Sequence, residues 1–201
     1  MKSKSEELYD KFYNSINYER SGLFEILNKE FKIKNVLYPG SSLHITPSFY
    51  FNYVIYIDNS DLSNKFFKSI NAVRDIINRN KRYRTNCYFK FYFHDYTQKI
   101  DFINEKFDLI ISLYSNNVIK YFKEYLKKDG IFLYSDFNKE INKIKKSNAV
   151  KIYKIIKRYS KTYKLEDYNN TKVKSNENII IKNNSIEYKD TEIYYLLKLN
   201  T

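Results

Sequence analysis

The sequence predicts a doubly wound α/β domain built on a mostly parallel sheet, and three observations carry that prediction. Short apolar runs alternate with amphipathic segments along most of the chain. One run, Phe107-Asp108-Leu109-Ile110-Ile111-Ser112-Leu113, is almost continuously apolar, as a strand buried on both faces must be. The runs close on turn-forming or acidic residues: Pro39-Gly40, Asp58, His94-Asp95, Ser135-Asp136. In open sheets of this kind ligands bind outside the carboxyl ends of the strands, where the strand order reverses.

Residues 5–31 read as two short helices, with Leu8, Phe12 and Ile16 and then Leu23, Ile26 and Leu27 at helical spacing, interrupted at Ser21-Gly22. Residues 1–34 therefore form a helical extension packed on a core domain of residues 35–201. Val36-Leu37-Tyr38 is the first strand and Pro39–Ser42 its turn. Thr46 is expected to cap a helix that has Pro47 at its first position. Tyr53–Ile57 is the second strand, followed by one helix carrying Leu62, Phe66, Phe67, Ile70, Val73, Ile76 and Ile77, with Ser60 or Asp61 as cap. Basic residues between Arg74 and Arg84 crowd its end. Tyr88–Phe93 is the third strand and Phe107–Leu113 the fourth. A helix over 117–127 leads through a Lys128-Asp129-Gly130 turn to a fifth strand, Ile131–Tyr134. A charged helix over 138–146, a sixth strand over 150–156 and a seventh over 191–199 complete the domain. Residues 157–189 are polar and Asn-rich, and are expected to form an irregular insertion with a hairpin at Asn183-Asn184.

A chain of 201 residues that is 43% hydrophobic and 18% aromatic can bury a core and is not a disordered polypeptide. No apolar stretch approaches the roughly 18 residues of a membrane span. The opening residues have no apolar run behind their lysines, so they are not read as a secretory signal. Cys87 is the single cysteine, which fits a reducing compartment, and the cytoplasm is the expected location. The net charge of +13 has two readings: a footprint for nucleic acid or another polyanion, or the Lys-, Asn- and Ile-rich product of an A+T-rich genome.

The chain holds only three glycines, and Gly40 lies in the first strand's turn, where a backbone approaching a ligand needs the missing Cβ; a plain turn would use the same residue. Asp58, at the end of the second strand, can accept hydrogen bonds from the ribose hydroxyls of a nucleoside cofactor, or can serve a helix start. Asp95 ends the third strand, where an acid meets an adenine amino group or simply a solvated turn. His44, Tyr114 and Asp136 are the candidate general bases by position, although a lone His near a helix start is more often structural. His44, His94 and Cys87 lack ligand spacing, so no metal site is expected. The aromatic-basic string Tyr88–His94 reads as a buried core strand, with a nucleic-acid stacking platform as the alternative. The cluster from Arg74 to Arg84 reads as a polyanion contact or a solvated helix end.

The string Asn35-Val-Leu-Tyr-Pro-Gly-Ser-Ser-Leu-His-Ile-Thr-Pro-Ser-Phe49, followed by Tyr53-Val-Ile-Tyr-Ile-Asp58, resembles the cofactor segment of a family of small class I S-adenosylmethionine-dependent methyltransferase-like proteins. The resemblance continues through Phe107-Asp-Leu-Ile-Ile-Ser112 and Tyr125-Leu-Lys-Lys-Asp-Gly-Ile-Phe-Leu133, and matches poorly over 157–189. It implies a Rossmann-like seven-stranded sheet with an antiparallel last strand. It also implies S-adenosylmethionine as cofactor, with the first loop at its methionine part, Asp58 at the ribose and Asp95 on the adenine side. Tyr38, Pro39, Gly40, Ser41, Ser42, Asn59 and Ser112 complete the cofactor-binding set at the same strand ends. The loop departs from the family pattern in holding one glycine. The fourth strand ends in Ser112-Leu113-Tyr114-Ser115-Asn116, without the Pro-Pro-aromatic tetrad of base and amide methyltransferases, so the methyl acceptor is unassigned.

Three functions remain distinguishable. The first is a methyltransferase that aligns an acceptor with an already activated donor. The second is a binding or scaffold protein on the same fold, catalytically degenerate, with nucleic acid as a candidate partner. The third is a nicotinamide-dependent enzyme, against which the lack of G-x-G-x-x-G counts.

Overall fold

The computed structural model describes residues 2–16, 19–136, 140–168, 179–182, 185–188 and 191–200. Its centre is an eight-stranded sheet of order β3-β2-β1-β4-β5-β10-β6-β7. These strands are β1 (Asn35–Pro39), β2 (Tyr53–Asp58), β3 (Tyr88–Phe93), β4 (Phe107–Ser112), β5 (Leu126–Ser135), β6 (Val150–Tyr159), β7 (Thr162–Asp167) and β10 (Thr191–Leu199). A separate antiparallel pair, β8 (Ile179–Lys182) and β9 (Ser185–Tyr188), flanks positions 183 and 184, so the expected hairpin is present although its turn residues lie outside the described set. Strands β3, β2, β1, β4 and β5 pair in parallel. β10 inserts antiparallel between β5 and β6, which is the reversed last strand that the sequence resemblance implies.

The sheet has one strand more than expected. Residues 157–167 are regular, because β6 runs on to Tyr159 and turns at Ser160 into β7. Lys157, Lys164, Glu166 and Asp167 made that stretch look solvated; they are half-buried to exposed rungs of an edge hairpin, joined by cross-strand ion pairs such as Lys157–Glu166 at 2.7 Å. The fifth strand also begins earlier. Leu126 already pairs with Phe107, and Leu109 pairs next with Ile131, so residues 127–130 bulge within β5. Gly130 sits in that bulge because a Cβ would lie 2.8 Å from the Leu126 side chain. The helix expected over 117–127 is accordingly short, α6 (Val118–Phe122) plus one 3₁₀ turn (Lys123–Tyr125).

Helices cover both faces. On one face lie α1 (Lys4–Tyr9), α2 (Ser21–Glu30), α3 (Pro47–Tyr50), α4 (Asp61–Lys68) and α5 (Ile70–Asn80). Their apolar positions share one core with the sheet: Tyr9, Leu23, Phe24, Leu27, Phe66, Val73 and Ile77 against Val36, Tyr38, Val54, Tyr56 and Leu109. Among the described residues the other face carries α6 and α7 (Ile141–Lys146), with Val118, Phe122 and Ile141 packed on Leu37, Ile110 and Phe132.

Three local expectations differ. Ser21 and Gly22 open α2, and the interruption falls earlier, after a π-helical turn over Asp10–Asn14, where Arg20 takes a left-handed φ of 55°. Thr46 has helical dihedrals and caps nothing; its hydroxyl meets that of Tyr9 at 2.8 Å. The single helix after β2 is broken at Ser69 into α4 and α5, and the Phe66 carbonyl beside the break accepts from the Ser5 hydroxyl at 3.2 Å. Ser60 does cap α4, accepting from the Ser63 amide.

Candidate functional site

From β1 the chain crosses to β2 on one side and the sheet continues to β4 on the other, so the strand order reverses between β1 and β4. The carboxyl ends of β1, β2, β3 and β4 meet there, and hydrogen bonds tie them into one edge. The Gly40 amide donates to the Ile57 carbonyl at 2.7 Å, and the Ser42 amide donates to Asp58 Oδ2 at 2.9 Å. The His94 amide donates to the Asp58 carbonyl at 3.1 Å. The turn, Asp58 and the end of β3 are thus hydrogen-bonded neighbours at this edge.

Gly40 has φ +64° and Ser42 φ 49°, so the turn uses two left-handed residues, of which one is a serine. The need for glycine has a local cause. A Cβ on Gly40 would stand 2.0 Å from Ser115 Oγ and 3.3 Å from the Tyr96 ring. Ser115 Oγ donates to the Pro39 carbonyl at 2.8 Å, and the Asn116 amide donates to the Tyr96 hydroxyl at 3.1 Å. Residues after β3 and β4 therefore close onto the turn. Ser41 is buried in it, and the Ser112 hydroxyl is turned to the Ser115 carbonyl at 3.2 Å.

Asp58 is almost fully engaged. Oδ1 accepts from the Ser60 amide (2.8 Å), the Ser60 hydroxyl (2.6 Å) and the Ser63 hydroxyl (2.6 Å). Oδ2 accepts only from the Ser42 amide, which leaves one acceptor position on that oxygen. Asp58 thus anchors the start of α4, the second of its two sequence readings. Asn59 is exposed beside it. Asp95 Oδ1 accepts from the Thr97 amide and hydroxyl, and these bonds hold its carboxyl below the ordinary range.

The candidate bases separate clearly. His44 is buried with both ring nitrogens bonded: Nε2 to the Glu19 carbonyl at 3.0 Å and Nδ1 to the Tyr38 hydroxyl at 3.1 Å. A carbonyl only accepts, so the proton sits on Nε2 and Nδ1 receives the tyrosine hydrogen. Burial, with Arg20 nearby, pushes the imidazole down to about 3. It stacks on Tyr13 at 4.9 Å and has no nitrogen left for proton abstraction, so the expected base is a packing residue. Tyr114 receives a hydrogen bond from the Arg20 guanidinium and lies 5.1 Å below it as a cation–π partner. Asp136 differs from both. It is 1% exposed, Oδ1 accepts from the Ile141 amide at 2.8 Å, and Oδ2 has no partner among the described residues. Burial pushes its carboxyl above the ordinary range.

Sequence reasoning missed a buried charged cluster at this edge. Glu192, at the start of β10, binds Arg20 at 3.2 Å and Arg158 at 3.3 Å, and accepts from the Tyr194 hydroxyl. Burial raises the Glu192 carboxyl, but Arg20, the Tyr194 hydroxyl and Arg158 outweigh it and hold the group below the ordinary range. The cluster locks the N-terminal segment, β6, β10 and the residues after β4 together. Among the described residues no group of three or more His, Cys, Asp and Glu could hold a metal ion, and no helix is long and apolar enough to cross a membrane.

The class of fold is that of the Rossmann-like methyltransferases, as comparison with solved structures shows. The N-methyltransferase NodS from Bradyrhizobium japonicum WM9, in complex with S-adenosyl-L-homocysteine, is 11% identical over 92% of this chain and 88% of that one, with TM-score 0.53. An O-methyltransferase, so described provisionally, from Klebsiella pneumoniae is 7% identical over 90% and 80%, with TM-score 0.55. An rRNA methylase from Streptococcus thermophilus is 10% identical over 88% and 94%, with TM-score 0.50. No family model matches the chain, and no curated protein matches it.

Proposed function

We propose that the chain binds S-adenosylmethionine at the carboxyl edge of β1, β2 and β4 and transfers its methyl group to an acceptor. The observation that carries this reading is the Ser42–Asp58 bond at 2.9 Å, which places the first turn and the second-strand acid together at the reversal of strand order. The donor set fits an adenosyl ligand. The free acceptor position on Asp58 Oδ2 would take one ribose hydroxyl, the backbone of 40–42 would lie along the methionine part, and Asp95 would stand on the adenine side. When bound, the sulfonium supplies an activated methyl group, so the protein's work is alignment and, where the acceptor carries a proton, its removal. Asp136, whose Oδ2 has no partner among the described residues and whose affinity for a proton is raised by burial, is the residue for that removal.

A second reading is favoured by two contacts. Ser115 Oγ fills the space above Gly40, and Tyr96 bridges to Asn116. These contacts suit a protein that keeps the fold as a binding or scaffold module. A thermal-shift titration separates the two readings, because a ligand bound only by the native state raises the midpoint by mass action. S-adenosylmethionine and S-adenosylhomocysteine should each raise it, and NAD should not. No shift with either adenosyl ligand would remove the first reading and leave the second. The cytoplasm remains the proposed location.

A further inference from the structure

We propose that the open face of β3 is a binding platform for single-stranded RNA, independent of methyl transfer. The cause lies in the connection from β3 to β4. Residues 94–106 contain no helix. They lay Ile100 and Ile103 in the same core cluster as Ile55 and Ile57 of β2 and reach the outermost strand with Phe102 against Tyr92, leaving its amino half, with Tyr88 and Lys90, exposed. β3 is the sheet's edge, and the expectation of a buried core strand fails there: of its aromatic residues only Phe89 is buried, while Tyr88 is 50% exposed.

The uncovered face has a definite chemistry. Side chains alternate across a strand, so Tyr88, Lys90 and Tyr92 share one face. Tyr88 stacks on Tyr53 of the neighbouring strand at 4.7 Å with an interplanar angle of 11°. Tyr92 packs on Phe102 at 4.1 Å, and Phe102 is itself 37% exposed. Lys90 stands between the two aromatic pairs, 4.5 Å over the Tyr92 ring. The result is ring, cation, ring along about 13 Å of strand. Sheet surfaces that bind RNA stack two or three bases on aromatic side chains in this way, with cations along the backbone. Charge agrees: residues 79–106 hold seven Lys and Arg against three Asp and Glu, within a chain of net charge +13. Two of the cations are paired, Arg79 with Glu6 and Lys99 with Asp101 at 2.8 Å, which leaves five cations against Glu105, hydrogen-bonded to the Tyr53 hydroxyl at 2.7 Å, and Asp95, hydrogen-bonded to Thr97. Exposed Arg82 and Arg84 stand before the amino end of β3, so a strand lying along it would meet cations at the start and middle of its path.

The test is fluorescence anisotropy of a labelled oligouridylate with the full chain. Binding should weaken steeply with salt, and Tyr88→Ala should weaken it about 5- to 10-fold at fixed salt, as loss of one stacking ring does. Lys90→Ala should lower the slope against log salt by about one. Both positions are exposed and stand apart from the candidate cofactor residues, so the thermal shift with S-adenosylhomocysteine should be unchanged in both variants. Failure here is thereby distinguishable from failure of the methyltransferase reading. Equal binding by wild type and Tyr88→Ala would overturn the proposal. So would preference for duplex RNA or for acidic vesicles over the oligouridylate, or a concentration-dependent dimer that Tyr88→Ala abolishes, which would mean that β3 pairs with a second copy.

Discussion

The ends of β2 and β5 both carry a buried aspartate at the same edge of the sheet, and the two have opposite circumstances. Asp58 accepts four hydrogen bonds from the turn after β1 and the start of α4. Asp136 accepts from the backbone amides of the start of α7, Ile141 at 2.8 Å among them, and its Oδ2 has no partner among the described residues. The four donors around Asp58 make it part of the architecture. A carboxylate buried without such a set favours its proton and is available for chemistry. The residue that the sequence marks most clearly as a ligand contact is therefore also a structural anchor, and the stronger chemical candidate is the one whose surroundings leave it unsatisfied.

Replacement of the two acids should show the contrast at its largest. Asp58→Ala strands four donors and should lose about 3–5 kcal/mol in denaturant unfolding, taking the adenosyl-ligand shift with it. Asp136→Asn keeps the acceptor for the Ile141 amide and removes a buried charge, so its stability should be equal to or slightly above wild type while methyl transfer falls. Comparable losses in both would break the contrast.

The next effect concerns acid. His44 titrates near 3 when folded against an ordinary value of 6.5, so below pH 6.5 the unfolded chain binds a proton that the folded chain refuses. Its contribution is complete above that pH and is lost as pH falls toward 3, at up to about 1.4 kcal/mol per unit. Asp136 has the opposite sign, since its folded carboxyl holds the proton more tightly. Stability measured from pH 7 to 4 should therefore fall in wild type and flatten in His44→Gln; an unaltered slope in the variant would remove His44 from the account.

A smaller effect tests the turn itself. Gly40→Ala places a methyl group 2.0 Å from Ser115 Oγ at a left-handed φ, and should cost about 2 kcal/mol. Adding Ser115→Gly should recover part of that loss, and strictly additive losses would show that the two residues do not meet.

How far the sequence could be read follows from the reach of its signals. Runs such as 53–58 and 107–112 exposed their strands because burial on both faces demands continuous apolar residues. β7 was hidden, since an edge strand with exposed lysines and acids looks like a loop until its partner is known. β3 failed in the other sense: its aromatic residues promised burial, but burial depends on a covering helix that residues 94–106 do not form. At the site, the turn and Asp58 were legible because strand ends are legible. Arg20, Arg158 and Glu192 were not, since their contacts join positions 172 and 34 residues apart and no local spacing marks them. The closure of Ser115 over Gly40 was equally invisible, being a contact between two separate loops.

Direct photolabelling with S-adenosylmethionine carrying a labelled methyl group tests the central claim most plainly. Ultraviolet irradiation followed by peptide mapping should place the label on the peptides spanning 36–64 or 112–118, and competition by S-adenosylhomocysteine should remove it. Competable label confined to other parts of the chain, or no competable label at all, would contradict the assignment of the β1–β4 edge as the adenosyl site.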